Sequence, residues 1–171
     1  MSFPNCISIG TNAFANCSNL TSVFLPVCTN VDEGAFSNCH SLTSVNFPVG
    51  KSIGYATFSN CSSLTSVSFP VCTSIGSYAF DNCSSLTSVS FPNCQYIGYC
   101  AFIRCSMLTT VIIAASSVAK LESYMAFVST PMSTSSYTGT FGSIYVPASL
   151  VSSYQKATNW SRYSSRITAI V

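Results

Sequence analysis

A string close to Ser-Leu-Thr-Ser-Val returns every 22 residues along most of this chain, and that return constrains the fold more than any other feature. With Leu20, Leu42, Leu64, Leu86 and Leu108 in one column, Val23, Val45, Val67, Val89 and Val111 align, as do Phe14, Phe36, Phe58, Phe80 and Phe102, without a gap. A fixed period of this size marks stacked units, each too small to bury its apolar face alone and doing so against its neighbours. The chain is therefore expected to be one elongated stack of rungs, with function on its exposed faces.

Each rung can be read position by position. Leu64-x-x-Val67-x-Phe69-Pro70 alternates apolar and polar residues as a half-buried strand does. Pro70 stops that strand because proline donates no ladder hydrogen bond, and Pro26, Pro48 and Pro92 repeat the stop. Ile75-Gly76-x-x-Ala79-Phe80 then returns along the opposite face. Gly54, Gly76 and Gly98 are expected to supply backbone freedom at this bend, and small Ala35, Ala79 and Ala101 to let coils approach closely. A buried phenylalanine, leucine or valine contributes about 1.5 to 3 kcal/mol on leaving water, so repeated columns can replace one large core.

The pattern Ile-Gly-x-x-Ala-Phe-x-x-Cys-x-x-Leu-x-x-Val-x-Phe-Pro, met in full at residues 75 to 92, resembles the BspA-like, or treponemal-type, leucine-rich repeat. The resemblance covers roughly residues 1 to 114; Asp32 departs from the usual glycine, Thr57 from alanine and Ala114 from proline. It implies a β-rich right-handed solenoid, an arc of about six 22-residue rungs.

Beyond Ala114 the register loosens. Residues 115–147 read as a degenerate last repeat, with Leu121 to Phe127 as its turn and Ile144-Tyr145-Val146-Pro147 as its final strand. Polar, turn-rich residues 129 to 139 predict a protruding loop. Residues 148–171 read as a C-terminal cap, in which Leu150, Val151, Tyr154, Ala157 and Trp160 predict a short helix over 148 to 160. The sequence is expected to be a piece of a longer array or assembly, since Phe3-Pro4 sits two periods before Phe47-Pro48 and no secretory signal opens it.

Composition excludes several functions. Only 6% of residues are charged, so the basic stripe that nucleic acid requires is missing. No apolar run reaches the roughly 18 to 20 residues that span a bilayer, and membrane insertion is not expected. Nine of ten cysteines recur at the repeat period: Cys17, Cys39, Cys61, Cys83 and Cys105 in one column, Cys6, Cys28, Cys72 and Cys94 in another, with Cys100 outside both. Parallel side chains on stacked rungs point the same way rather than at one another, so free buried thiols that donate to turn carbonyls are expected. Such thiols suit an anaerobic habitat or the cytosol better than an oxidising compartment. Paired C-x-x-C spacing for zinc is absent. His40, the single histidine, occupies a turn position that is serine in other rungs, and no separated carboxylate pair or nucleophile motif stands out. No catalytic residue, metal or cofactor is assigned. The sequons at Asn16, Asn60 and Asn82 recur with the repeat and read as turns.

Departures from the columns remain as candidate partner contacts. Strand residues between the core positions point outward, and there Phe24, Asn46 and Ile112 interrupt a bland series of serines. Tyr55, Tyr78, Tyr96, Tyr99 and Tyr137 fall at variable edge positions, and tyrosine is a low-entropy contact residue. The resemblance implies a non-catalytic recognition or adhesion module of a bacterial cell-surface or secreted protein with a protein partner. Alternatives are a structural or receptor-binding repeat in a larger assembly such as a phage appendage, and a glycan-binding module.

Overall fold

The computed structural model describes residues 1–133 and 141–171. Its strands, in chain order, are β1 (Ser8–Ile9), β2 (Ser22–Phe24), β3 (Asn30–Val31), β4 (Ser44–Asn46), β5 (Ser52–Ile53), β6 (Ser66–Ser68), β7 (Ser74–Ile75), β8 (Ser88–Ser90), β9 (Tyr96–Ile97), β10 (Thr110–Ile112), β11 (Lys120–Leu121), β12 (Ser143–Val146) and β13 (Ile167–Ala169). Odd-numbered strands from β1 to β11 form one continuous parallel six-stranded sheet. The three- and four-residue strands on the other face form a three-stranded sheet, β2-β4-β6, and a four-stranded one, β13-β12-β10-β8. Register follows the period, with Val23 opposite Val45 and Val45 opposite Val67.

The core consists of the predicted columns. Phe14, Phe36, Phe58, Phe80, Phe102 and Phe127 stack with centroids 5.2 to 5.6 Å apart. A second file, Phe47, Phe69 and Phe91, packs beside them. All ten cysteines are free thiols, and both columns donate to carbonyls. Cys39, Cys61, Cys83 and Cys105 reach back to Phe14, Phe36, Phe58 and Phe80. Cys6, Cys28, Cys72 and Cys94 bond the carbonyl two residues on. Burial pushes the Cys39 thiol up to about 11 and Cys61 up to about 12, so these sulfurs stay protonated near neutral pH.

Asn16, Asn38, Asn60 and Asn82 turn the chain in the left-handed region, with φ between 57° and 64°. Asparagine tolerates that region better than most residues. Their amides form a ladder, Asn38 Nδ2 donating to Asn16 Oδ1 (3.1 Å), Asn60 to Asn38 (2.9 Å) and Asn82 to Asn60 (2.9 Å). The sequon asparagines are thus turn residues.

Several details add to or differ from the sequence reading. The glycines at 54, 76 and 98 do not need positive φ; among the described glycines Gly34 alone has it. What they permit is close approach: a Cβ on Gly76 would sit 2.7 Å from the Gly54 backbone, and one on Gly98 2.5 Å from Ser77 N. The three-residue strands do not make one sheet, because among the described residues no bond joins Thr87 to Thr65 as Thr65 N–H joins Thr43. Val67 at that break is half-buried, whereas Val23, Val45 and Val89 are buried. Of the segment expected to protrude, residues 130 to 133 turn inward, and 134 to 139 lie outside the described residues. Thr130 Oγ1 donates to Phe127 O and accepts from Met132 N–H, and Thr130, Pro131, Met132 and Ser133 are all buried.

The cap also departs from a single helix. A 3₁₀ turn (Ala148–Leu150) leads into a short helix α1 (Val151–Lys156), and a second 3₁₀ segment (Trp160–Arg166) delivers β13 to the outer edge of β12. Ile144–Val146 is therefore not the last strand. Asn159, at φ 65°, separates the two helical pieces, and its Nδ2 donates to Leu121 O and Glu122 O (2.9 and 3.0 Å). Trp160 Nε1 donates to Ala119 O (2.7 Å), and Tyr154 Oη accepts from Ala119 N–H (2.9 Å). Side chains thus satisfy the edge of β11, where unpaired strand groups would otherwise face another chain.

Candidate functional site

The candidate residues fall into two groups on different faces. On the outer face of β2-β4-β6, Phe24 and Asn46 are exposed above a shallow depression of about 410 Å³, also lined by Ser22, Ser44, Ser66 and Ser68. Ile112, expected to expose an apolar side chain, is half-buried in the other sheet, between Ser90 and Tyr145 in register. These three residues do not converge.

The tyrosines do. Tyr55 and Tyr99 occupy the same turn column two rungs apart, and Tyr78 sits one position later in the rung between them. Tyr55 and Tyr78 meet at 5.7 Å with planes at 65°, and Tyr78 and Tyr99 at 5.6 Å with planes at 67°. Such edge-to-face pairs each add about 0.5 to 1.5 kcal/mol. Rung-to-rung bonds hold the backbone beneath them in step: Gly34 N–H to Tyr55 O, Ala56 N–H to Ser77 O and Tyr78 N–H to Tyr99 O, each 2.9 Å. Tyr78 has φ 58°, and its column mates Asn12, Gly34, Ala56 and Cys100 also lie in the left-handed region, so this turn repeats with the rung. A bulky residue there is strained by about 1 to 2 kcal/mol.

Tyr99 Oη contacts Met125 Sδ at 3.2 Å, which carries the strip on to Tyr124, whose ring lies 5.1 Å under the Arg162 guanidinium. The buried Cys100 thiol lies beside the Tyr78 and Tyr99 hydroxyls. Loss of water contact, with the Cys100 thiol alongside, raises the Tyr78 hydroxyl to about 12, so the edge stays uncharged there. Tyr96 stands apart, on the outer face of β9, with Lys120 Nζ 5.7 Å from its ring centroid. Glu122 links it to the strip: its carboxylate receives the Tyr96 hydroxyl, Tyr99 N–H (2.7 Å) and Ser77 Oγ (3.3 Å), and these bonds, the Tyr96 one first, hold its pKa below the usual range. Tyr137 lies outside the described residues.

Sequence reasoning missed Glu122, whose role depends on its side chain crossing to a neighbouring rung, and Cys100, which no column marks. Among the described residues no three His, Cys, Asp or Glu side chains gather to hold a metal, and no helix is long and apolar enough to cross a membrane. His40 is exposed, with Nδ1 2.9 Å from Asn60 O.

Two faces of stacked parallel strands with phenylalanine and leucine files between them define a leucine-rich repeat solenoid. The family described as the BspA type leucine rich repeat region, in six copies, matches residues 7–133, and the chain belongs to it. A leucine-rich repeat protein from Bacteroides ovatus superposes with a TM-score of 0.76 at 23% identity, over 100% of this chain and 42% of that one. A leucine-rich cell surface protein from Faecalibacterium prausnitzii gives 0.63 at 28% identity, over 69% of this chain and 32% of the other. The leucine-rich repeat protein of T. pallidum gives 0.62 at 26%, over 76% and 60%. The chain thus spans less than two thirds of the length of each of these relatives. A comparison with curated proteins found no match.

Proposed function

We propose that this domain is a non-catalytic protein-recognition module of a bacterial cell-surface or secreted protein, and that its contact surface is the tyrosine edge formed by Tyr55, Tyr78 and Tyr99. The observation that carries the reading is that these tyrosines break the repeat, yet meet as one continuous strip. The kinship to the cell surface protein of Faecalibacterium prausnitzii supports the location. Phe24 and Asn46 share a different face and are the weaker site, since polar serines surround them.

A pull-down from surface protein extracts tests this with the domain as bait. A partner retained by Phe24→Ser and lost by the Tyr55→Ser/Tyr99→Ser double variant is the expected result. Loss with Phe24→Ser alone would move the site to the strand face. Tight binding to a sugar array with no protein captured would overturn protein recognition altogether.

A further inference from the structure

Charge is scarce in this chain, with six basic and four acidic residues, so where it stands discriminates between partners. Among the described residues only Arg104 and Asp81 form an ion pair. Two of the remaining charges bound the tyrosine edge, and their signs are opposite. Glu33, exposed, stands in the column of Tyr55 and Tyr99, one rung before Tyr55, and the bond from Gly34 N–H to Tyr55 O keeps the two rungs in step. Arg162, also exposed, lies over the Tyr124 ring in the turn that follows β11, one rung beyond Tyr99. A guanidinium over a ring face keeps its N–H groups free for a carboxylate. Glu122 is already engaged within its own edge, held by Tyr96, Tyr99 N–H and Ser77 with Lys120 beside it, and asks nothing of a partner.

In rung order the edge therefore reads Glu33, Tyr55, Tyr78, Tyr99, and Arg162 over Tyr124. Two rungs lie on each side of Tyr78. Reversing the order exchanges acid for base and Tyr55 for Tyr99, and leaves Tyr78 in place. A surface with that property complements itself, because a two-fold axis near Tyr78 sets Glu33 of each copy against Arg162 of the other and each Tyr55 against a Tyr99. This is the isologous arrangement of two-fold dimers, in which residue i meets residue j and j meets i. Side-by-side pairing in the same direction would instead set Glu33 on Glu33 and Arg162 on Arg162, and like charges in contact select against it.

We infer that the tyrosine edge pairs with the same edge of a second copy of this chain, antiparallel about a two-fold axis at Tyr78, with Glu33 of each copy on Arg162 of the other. This rests on the recognition reading above and names its partner. The tyrosines supply contact area and carry no charge into it, and the end pairs set direction and register. The edge is one turn wide and falls short of the roughly 800 Å² per partner of a standard stable interface, so the dimer is transient.

Sedimentation equilibrium of the 171-residue chain at low salt, from about 10 μM to about 1 mM, tests this. The parent should pass from monomer to dimer within that range, and added salt should weaken it. Glu33→Arg and Arg162→Glu each bring like charges to both end contacts, and each alone should weaken self-association at least tenfold. An equal mixture of the two should dimerise as the parent does, since both contacts again join opposite charges, and so should the double variant Glu33→Arg/Arg162→Glu. Both positions are exposed, so circular dichroism of every variant should match the parent. A chain that is monomeric throughout, a dimer that ignores both single changes, or a mixture that stays monomeric would overturn the inference. If the chain is monomeric yet Tyr55→Ser/Tyr99→Ser loses a pull-down partner, self-pairing falls while tyrosine-edge recognition stands. If the chain is monomeric and that double variant keeps its partner, both fall.

Discussion

The first and last rungs of the described residues are packed differently. At the C-terminal end Tyr154, Asn159 and Trp160 donate to or accept from the edge of the last short strand, and β13 pairs with β12. At the N-terminal end Phe14 and Cys17 are half-buried, Met1 and Ile7 are exposed, and Met1, Phe14, Cys17 and Leu20 line a groove of about 650 Å³. The same sequence columns run to both ends. A column residue therefore contributes according to what lies on each side of it, and the difference between ends measures the neighbour.

The largest contrast should come from aromatic truncation. Trp160→Ala removes a buried ring packed 5.2 Å from Tyr154 and 6.1 Å from Phe127, together with its bond to Ala119. It should cost about 3 to 5 kcal/mol in denaturant unfolding. Phe14→Ala, which removes a half-buried ring, should cost less than half of that; an equal loss would break the comparison.

Glycine offers a sharper pair. Gly76 and Gly10 share a column, but a Cβ at Gly76 meets the preceding rung at 2.7 Å, whereas one at Gly10 meets nothing within 4 Å. Gly76→Ala should cost about 1 to 3 kcal/mol from overpacking. Gly10→Ala should be neutral or stabilising by up to about 1 kcal/mol, because it restricts the unfolded chain. Thermal melts of the two variants check this, and a matching loss at Gly10 would show that the column needs glycine for another reason.

The asparagine ladder repeats the contrast at smaller scale. Asn60 donates to Asn38 and accepts from Asn82, whereas Asn16 only accepts. Asn60→Ala loses two bonds and puts alanine at φ 61°, which should cost about 1 to 2 kcal/mol, with Asn16→Ala nearer half.

Thiols give the gentlest probe. A thiol reagent on native protein should label the half-buried Cys6 and Cys17 first, with Cys61, Cys83 and Cys105 labelled only on unfolding. Alkali follows from the same burial. Since the folded Cys61 and Cys94 thiols are raised from 9.0 to about 12, the stability they contribute is complete below pH 9. It is lost as pH rises toward the folded value, each thiol adding a slope of about 1.4 kcal/mol per pH unit. Stability that stayed flat from pH 9 to 11 would contradict their burial.

The scaffold was legible in the sequence because its interactions are between copies of one column. The phenylalanine file, the thiol-to-carbonyl bonds and the Asn-Cys turn all follow from the period. What was not legible depends on contacts between unlike positions. Glu122 crosses to Tyr99 and Ser77, Asn159 crosses to Leu121, and Met132 folds under its own turn through Thr130. The glycine column was visible as glycine, but backbone approach and positive φ ask for the same residue, and only geometry separates them. For the proposed contact surface, the sequence marked the tyrosines one by one; the edge contacts at 5.6 and 5.7 Å required rungs in register.

Columns hold the fold, and the tyrosines are proposed to recognise a partner. The most direct test measures both properties on one protein, the melting temperature and the pull-down partner retention of Tyr55→Ser/Tyr99→Ser beside Phe58→Ala. The double tyrosine variant should lose clearly less stability than Phe58→Ala and lose the partner, while Phe58→Ala, with its buried ring stacked on Phe36 and Phe80, should lose about 3 to 5 kcal/mol of stability. A double variant that melts as early as Phe58→Ala while its folded fraction still captures the partner would make the tyrosines part of the scaffold and contradict the division.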